Sequence, residues 1–573
     1  MRWRDEIWAR LGQPWDIIVI GGGITGAGIA REAARAGARV LLLEQRDWAW
    51  GTSSRSSKLV HGGLRYLAQG DIRLTRDSVV ERERLLAAAP GLVTPLNFLL
   101  APRKDRRDQR WMYRAGLAIY DLLAGRWQHE ALSPAQVHAL APHLDEGVTG
   151  AGLRYGDAQT DDARLVLRLL REAVAAGVTA LNYAAVSGLL REDGDVAGVT
   201  VDDLVGGRSA ALRAGAVVNA TGAWVDRLRA QVDAPARMRP LRGSHLMFAA
   251  WRLPVAQAIN IAHPLDGRPV FALPWEGATL VGTTDLDHTG DLAGEATISP
   301  DEVAYLMTAL AAYFPALGLG LDDIVSTWSG VRPVVASGAA DPSKESRDHV
   351  VWQERGLLTV TGGKLTTFRL IALDALRTLS DRIPALAALD ERAPAFDPAP
   401  ADLVAPLDAG ARQRLLGRYG ADAAALVAAA PAAELAPIGP TPALWAELRW
   451  AARTEQVVRL DDLLLRRTRI GLLLPRGAAE CIDQIRAICQ AELGWDDARW
   501  DEEAGRYRAI IAGHYSVPAG VPDWRPALSQ AVAAADRRRS ARRRQSKAVL
   551  ASALAALGFW GGWRRAQGAA REQ

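Results

Sequence analysis

The sequence predicts an α/β fold: a Rossmann-like dinucleotide-binding domain, an antiparallel-sheet domain beside it, and a C-terminal all-α domain. Three observations predict it. An apolar run, Asp16 to Ile20, enters Gly21-x-Gly23-x-x-Gly26, followed by a helix-forming stretch and a second apolar run, Arg39 to Leu43. Short β-rich runs recur from Ala185 to Thr284. Beyond a Pro/Ala-rich stretch at 392–406 that looks like a linker, composition from Ala411 to Tyr507 is largely helical and reads as a separate domain.

Each part of the first unit has a physical task. Gly21 allows a tight turn, Gly23 lets the backbone approach a pyrophosphate, and Gly26 lets the helix pack on the strand. Ile24 and Thr25 open that helix, whose N–H groups and dipole favour phosphate charge. Glu44, eighteen residues beyond Gly26, is placed to accept hydrogen bonds from a ribose hydroxyl. This unit alone suits NAD and FAD equally.

The stretch Gly51 to Tyr66 is dense in small hydroxyl residues and glycine, which suits backbone wrapped around a ligand. Asp71 to Ala89, Arg110 to Leu123 and Asp161 to Ala176 read as helices. Ala185 to Val201 and Ala210 to Val218 read as strands, the latter running into Ala220-Thr221-Gly222 at the nucleotide edge. Pro240 to Phe248, Val270 to Pro274 and Thr279 to Thr284 read as strands of the second, mostly antiparallel, layer. Gly356 to Arg369, GLLTVTGGKLTTFR, is again strand, double glycine and helix. Two glycine-led helix starts suit a flavin better than a nicotinamide: one holds the pyrophosphate, the other faces the isoalloxazine carbonyl.

Composition narrows the function. A chain of 573 residues exceeds one ordinary core. Cys481 and Cys489 are the only cysteines, without a CxxC or a cysteine–histidine cluster, so neither a disulfide framework nor a metal site is expected, and a reducing compartment fits. The N-terminal MRWRDEIWAR lacks the apolar centre of a signal peptide, and no apolar run reaches the about 18 residues of a membrane span. The formal charge of +4 is uneven: residues 536–573 carry +8, leaving −4 for residues 1–535. An acidic body without a basic-aromatic groove predicts no nucleic-acid partner. The tail has arginine triplets at 537–539 and 542–544, Lys547, and then Ala548 to Trp563, apolar apart from Ser552. That run is too short to span a bilayer; it suits either a membrane interface or, being Ala-rich, a helix docked on the body with the arginines solvated.

These segments together resemble the FAD-dependent, quinone-linked glycerol-3-phosphate dehydrogenases. The resemblance rests on IGGGITGAGIAREAA, TSSRSSKLVHGGLRYL, DDARLVL, NATGAWV, LRGSHLMF, VGTTD, SGVRPV, GGKLTTFR and LDDLLLRRTRIGLL. It implies a fold of three parts: an FAD-binding unit over 14–395 with interleaved substrate-binding segments at about 90–150 and 236–330, a helical domain over 407–530, and the tail 531–573. It implies oxidation of sn-glycerol 3-phosphate to dihydroxyacetone phosphate with FAD, electron transfer to a membrane quinone, a cytoplasmic protein held peripherally at the inner membrane face, and a homodimer. The alternative is a glycerol-3-phosphate oxidase using oxygen, or another flavin oxidase of the superfamily.

The resemblance also assigns residues. FAD is expected at the first turn and Glu44, at Thr52, Ser53, Ser54, Lys58, Leu59, His61, Gly62 and Gly63, at Ala220, Thr221 and Gly222, and at Gly363, Lys364, Leu365, Thr366 and Thr367. Arg332 is expected as the central phosphate ligand, supported by Arg65, Tyr66 and Arg347, since a guanidinium fork matches phosphate. Lys364 stands between flavin and substrate as a charge stabiliser. His245 is the candidate base, because imidazole titrates in the right range. His61 is expected to pack on the flavin. Arg466 and Arg467 are expected to be ordinary solvated helix charges, and Arg55 a tolerated departure from the family's small residue.

Overall fold

The computed structural model describes residues 2–530 except 69, 102–109, 148–149, 339–344 and 346, and leaves out the side chains of residues 2, 65, 68 and 110. The tail therefore lies outside the described residues.

Two sheets carry the molecule. The first has five parallel strands in the spatial order Leu357–Gly362, Ser209–Asn219, Trp15–Ile20, Val40–Leu43, Thr179–Leu181, with His349–Glu354 antiparallel on its outer edge. Trp15–Ile20 is buried along almost its whole length, as a parallel strand covered on both faces must be. Helices Ile24–Arg35, Asp162–Ala175 and Phe368–Thr378 pack with it into one core, through Ile29, Ala33, Leu167, Leu170, Ile371 and Ala375.

The stretch Ala185 to Val201, read as one strand, is a hairpin. Ala184–Glu192 turns at Asp193 and Gly194, both at positive φ, into Asp195–Asp203. The Asp-Gly pair is the hairpin signal that decides this, because only such residues tolerate the turn's left-handed backbone.

Among the described residues the second sheet has ten strands and is antiparallel except where Ala258–Ala262 runs parallel to Val93–Leu100. Its centre is Leu241–Ala249, paired with both Ala278–Gly282 and Ile324–Arg332. The helices beyond residue 409 do not form a free-standing unit: Leu448, Leu463, Ile485 and Tyr507 share one core with Phe98, Trp275 and Trp328 of this sheet. The Pro/Ala-rich stretch is also attached, with Ala395 and Phe396 buried against Leu165, Leu169 and Phe368.

Arg466 and Arg467 correct the expectation of solvated charges. They lie on a buried π-helical turn, Asp462–Arg467, and both guanidinium groups are fully inside the protein. Arg467 donates to both oxygens of Asp47 at 2.7 and 2.8 Å, and Arg466 to Asp47, Asp461 and Asp462. Burial pushes Asp47 up, but Arg467 and Arg466 outweigh it and hold its carboxyl below the usual range. The motif ties the helical domain to the loop after Glu44. A charged pair at i and i+1 signals a surface helix only when no buried acid waits for it.

Candidate functional site

Three parallel strands end at the same edge, and each delivers a loop there. Strand Trp15–Ile20 ends in Gly21 at φ +112°, where a Cβ would lie 2.6 Å from the Ala220 carbonyl oxygen. At Gly26 a Cβ would meet the Gly21 carbonyl oxygen at 1.8 Å, so no other residue fits. Gly23 precedes helix Ile24–Arg35 without a side-chain cap; Ser53 Oγ takes that place, accepting from the Ile24 N–H at 3.0 Å. Glu44 accepts from the backbone N–H of Gly22 at 2.7 Å and of Arg46 at 2.8 Å, which fixes it beside the turn. Each carboxylate oxygen keeps a lone pair for a ribose hydroxyl. Burial raises the Glu44 pKa.

Strand Leu357–Gly362 ends in Gly362 and Gly363, both at positive φ, where a Cβ on Gly363 would meet Ile371 Cδ1 at 2.4 Å. Leu365–Thr367 is a short 3-10 turn that leads into helix Phe368–Thr378. Thr361 donates to the Gly222 carbonyl at 3.0 Å and Thr366 to that of His61 at 3.4 Å, so this turn, the Ala220–Gly222 turn and the serine-rich loop are joined. The two glycine-led helices touch where a Cβ on Gly28 would lie 3.0 Å from Phe368. This is a cradle for a dinucleotide with a second helix start at its far end, and the glycine positions leave no room for side chains.

The serine-rich loop is built from below. Thr52 donates to the Val331 carbonyl at 2.5 Å. The Ser54 carbonyl accepts from Lys58 Nζ and from Arg469, each at 2.7 Å. Lys58 is not free to meet a cofactor: its amine is buried and bound to Asp162 at 2.8 and 2.9 Å, its N–H donates to Ser56 Oγ at 3.0 Å and its carbonyl accepts from the Thr160 N–H at 2.9 Å. Burial, then Arg469, pulls Lys58 down to about 7. Arg55 is more than a tolerated departure; its guanidinium is buried, paired with Glu295 and lies 4.6 Å over the Trp50 ring. Leu59 pairs with Gln159 in the second sheet. Gly62 N–H donates to Asp157 at 3.1 Å, beside Tyr120, whose hydroxyl would meet a Cβ on Gly62 at 2.3 Å. Next to it Gly63 is at φ +82°. Burial, then Lys364, holds the His61 imidazole far down at about 3, so it stays neutral.

The facing side comes from the second sheet. Along Leu241–Ala249, Gly243 and His245 share one face and Ser244 the other. Ser244 Oγ donates to Glu302 at 2.8 Å, and Thr284 Oγ1 donates to the same oxygen at 2.6 Å, so the strand is anchored from behind. Gly243 is needed because a Cβ there would strike the Arg332 guanidinium at 2.3 Å. Arg332 reaches Asp285 Oδ1 at 3.0 Å and Thr283 Oγ1 at 3.2 Å. Arg347 and Arg268 both reach Asp285 Oδ2 at 3.2 Å. Burial draws Arg332 down to about 10 against the pull of Asp285, with Arg347 and Arg268 adding to the fall.

Lys364 Nζ donates to Ser78 Oγ at 2.9 Å and sits 3.7 Å over the Tyr66 ring. Burial lowers it to about 7. Lys364 and Tyr66 are thus in contact, and Arg332 and Arg347 meet at Asp285. Arg65 is on helix Leu64–Ala68, but its side chain lies outside the described residues. His245 is buried, stacked on Trp328 at 5.0 Å, and its Nε2 shares a hydrogen bond of 2.9 Å with Ser57 Oγ. Burial, then Arg332 and Lys58, keeps its pKa well below the ordinary imidazole value. The imidazole is therefore held neutral, its protonated form is disfavoured, and it does not have the near-neutral titration expected of a base.

Sequence reasoning missed Asp285, the hub of the cations, although it closes the quoted VGTTD run. It also missed Arg268, which sits in no motif, and Ser57 and Ser78, which look like any other small hydroxyl residue.

The cradle and the cationic pocket beside its second turn define a flavin-dinucleotide oxidoreductase. Comparison with known proteins says the same. The family described as FAD dependent oxidoreductase matches residues 16–456. Glycerol-3-phosphate dehydrogenase 2 of Mycobacterium tuberculosis is 36% identical over 545 residues, covering 89% of this chain and 90% of that protein. Aerobic glycerol-3-phosphate dehydrogenase of Bacillus subtilis is 38% identical over 376 residues, 64% of this chain and 67% of that one. The crystal structure of the glycerol-3-phosphate dehydrogenase from Bacillus halodurans complexed with FAD superposes with a TM-score of 0.67 at 26% identity, covering 89% of this chain and 96% of that one. The chain belongs to the glycerol-3-phosphate dehydrogenases of the FAD-dependent oxidoreductase family, and FAD is its cofactor.

Proposed function

We propose that this chain oxidises sn-glycerol 3-phosphate to dihydroxyacetone phosphate and passes the electrons to a membrane quinone. The observation that carries the substrate is the convergence of Arg332, Arg347 and Arg268 on Asp285 beside Lys364: three cations and one anion, in a half-buried place, leave charge for a dianionic phosphate. The turns at Gly21–Gly26 and Gly362–Thr367, with Ser53, Glu44, Thr221 and Gly222, would hold FAD, which supplies the acceptor for the hydride leaving carbon 2. Arg332 and Arg347 bind and orient the phosphate. Lys364, held by Ser78 over Tyr66, faces the oxygen on which negative charge develops. His245, with its ring fixed by Ser57, is the candidate to receive the hydroxyl proton, and burial beside Arg332 and Lys58 makes it a weak base for that task.

The quinone reading draws support from an exposed helix face. Among the described residues no helix is long and apolar enough to cross a membrane. Helix Arg110–Ala124, however, turns Trp111, Ile119 and Leu122 outward at 75%, 46% and 77% exposure, while Leu117 and Tyr120 are buried on its other side. An outward apolar stripe with tryptophan suits the lipid interface, which supports membrane contact through this helix as well as the tail.

Anaerobic addition of glycerol 3-phosphate to the holoprotein tests the substrate: the flavin absorbance should bleach. A flavin that stays oxidised would overturn the reading. Rapid peroxide release in air, with no reduction of a soluble quinone, would move the acceptor to oxygen.

A further inference from the structure

Arg268 has no place in the family motifs, yet it reaches the same carboxylate as the two expected phosphate ligands. We propose that Arg268 is the third phosphate ligand, and that Arg268, Arg332 and Arg347 around Asp285 form a site that selects doubly ionised phosphate over singly charged anions. The proposal rests on the phosphate-site reading above.

The three arginines come from three separate elements. Arg268 enters strand Pro269–Trp275, Arg332 ends strand Ile324–Arg332, and Arg347 precedes strand His349–Glu354. They converge on one carboxylate that is 6% exposed: Arg332 on Oδ1 at 3.0 Å, Arg347 and Arg268 on Oδ2 at 3.2 Å. Arg268 is also steadied by a bond of 3.2 Å to the Asp285 carbonyl.

The neighbouring acids neutralise only part of the excess. Asp287 and Glu345 are paired with Arg239 at 2.6 and 3.0 Å, and Glu302 with Arg242 at 2.8 Å. Three guanidinium groups share the one Asp285 carboxylate, an excess of cation that Asp287 and Glu345, two acids on the single Arg239, and Asp266 beside Arg268 offset in part. A phosphate monoester, with a second pKa of about 6, brings two negative charges at neutral pH and more than one oxygen to share among the forks. A monoanion brings half that charge and matches less of the cation excess. Asp285 meanwhile keeps the three guanidinium groups turned to one point before the ligand arrives, so little is lost in ordering them.

If Arg268 only stapled Asp285 in place, its loss would lower stability without changing which anions bind. The test uses methyl phosphate and dimethyl phosphate as competitors of flavin reduction by glycerol 3-phosphate, on holoprotein at pH 8. Methyl phosphate is a dianion there and dimethyl phosphate a monoanion. The native protein should bind methyl phosphate at least about tenfold more tightly. Arg268→Gln, with its flavin spectrum unchanged, should weaken methyl phosphate by about ten- to a hundredfold, the range of one charged hydrogen bond. It should move dimethyl phosphate much less, and Arg268→Lys should keep part of the preference. If the native protein discriminates and Arg268→Gln discriminates equally, Arg268 is no ligand while the phosphate-site reading stands. If the native protein binds neither competitor, both fall together.

Discussion

Replacing Arg467 with methionine should unlock the junction between the helical domain and the cofactor loop. Arg467 is wholly buried; it donates two bonds to Asp47 and two to the Glu455 carbonyl, at 3.1 and 2.8 Å. Methionine fills similar space but leaves Asp47 with only Arg466 and Asn182 as partners. Leaving a buried charge wholly unpaired costs about 3–5 kcal/mol; Asp47 keeps Arg466, so the loss should be part of that, about 1–3 kcal/mol. The damage should reach the nucleotide site. Ala49 N–H bonds the Gly22 carbonyl at 3.0 Å, and the Trp48 ring stands where a Cβ on Gly22 would lie, so a loosened Asp47 loosens the glycine turn. Denaturant unfolding followed by tryptophan fluorescence measures the stability, and release of flavin on dilution reports the turn. The double variant Asp47→Asn with Arg467→Met should recover most of the loss, since a neutral amide needs no counter-charge and Arg466 keeps Asp461 and Asp462. A single-variant loss below about 1 kcal/mol, or a double variant no better than the single, would refute the argument.

Other expectations follow from the same geometry. Gly26→Ala should purify without flavin, because its methyl would overlap the Gly21 carbonyl oxygen at 1.8 Å; a yellow, active variant would contradict the cradle. Arg332→Ala should keep its flavin and raise the substrate KM by about a hundredfold or more, checked by steady-state kinetics, and an unchanged KM would remove it from the phosphate site. Lys364 falls to about 7 from an ordinary 10.5, so between those values the unfolded chain binds more protons than the folded one, and this residue's contribution to stability rises with pH through that window. A dianion beside it should restore its proton, giving proton uptake on glycerol 3-phosphate binding at pH 8; calorimetric heats equal in buffers of different ionisation enthalpy would deny it. Trp111→Ser with Leu122→Ser should weaken sedimentation with anionic vesicles severalfold while leaving flavin reduction unchanged, and equal sedimentation would clear this helix of lipid contact.

The local grammar of the chain was legible wherever a residue's role depends on its neighbours in sequence. Gly21, Gly23 and Gly26 stand between a buried strand and a helix, and a close approach of backbone to backbone admits only glycine, so their meaning travels with the motif. The second turn at Gly362–Gly363 follows the same rule, which is why the flavin could be told from a nicotinamide. The hairpin at Asp193-Gly194 had its signal too, and was passed over because the apolar alternation on either side looks continuous.

What tertiary structure alone decided is where the charges go. Arg466, Arg467, Lys58 and Arg55 carry nothing in their local sequence to show that Asp47, Asp162 and Glu295 would meet them inside the protein, across separations of more than 100 residues. The same holds for Asp285 and Arg268 at the phosphate site, and for His245, whose burial against Trp328 removes the titration its residue type suggests. Backbone geometry is set by near neighbours and is written in the chain. Electrostatic environment is set by burial and by partners distant in sequence, and it exists only once the sheets and the helical domain have closed around the cradle.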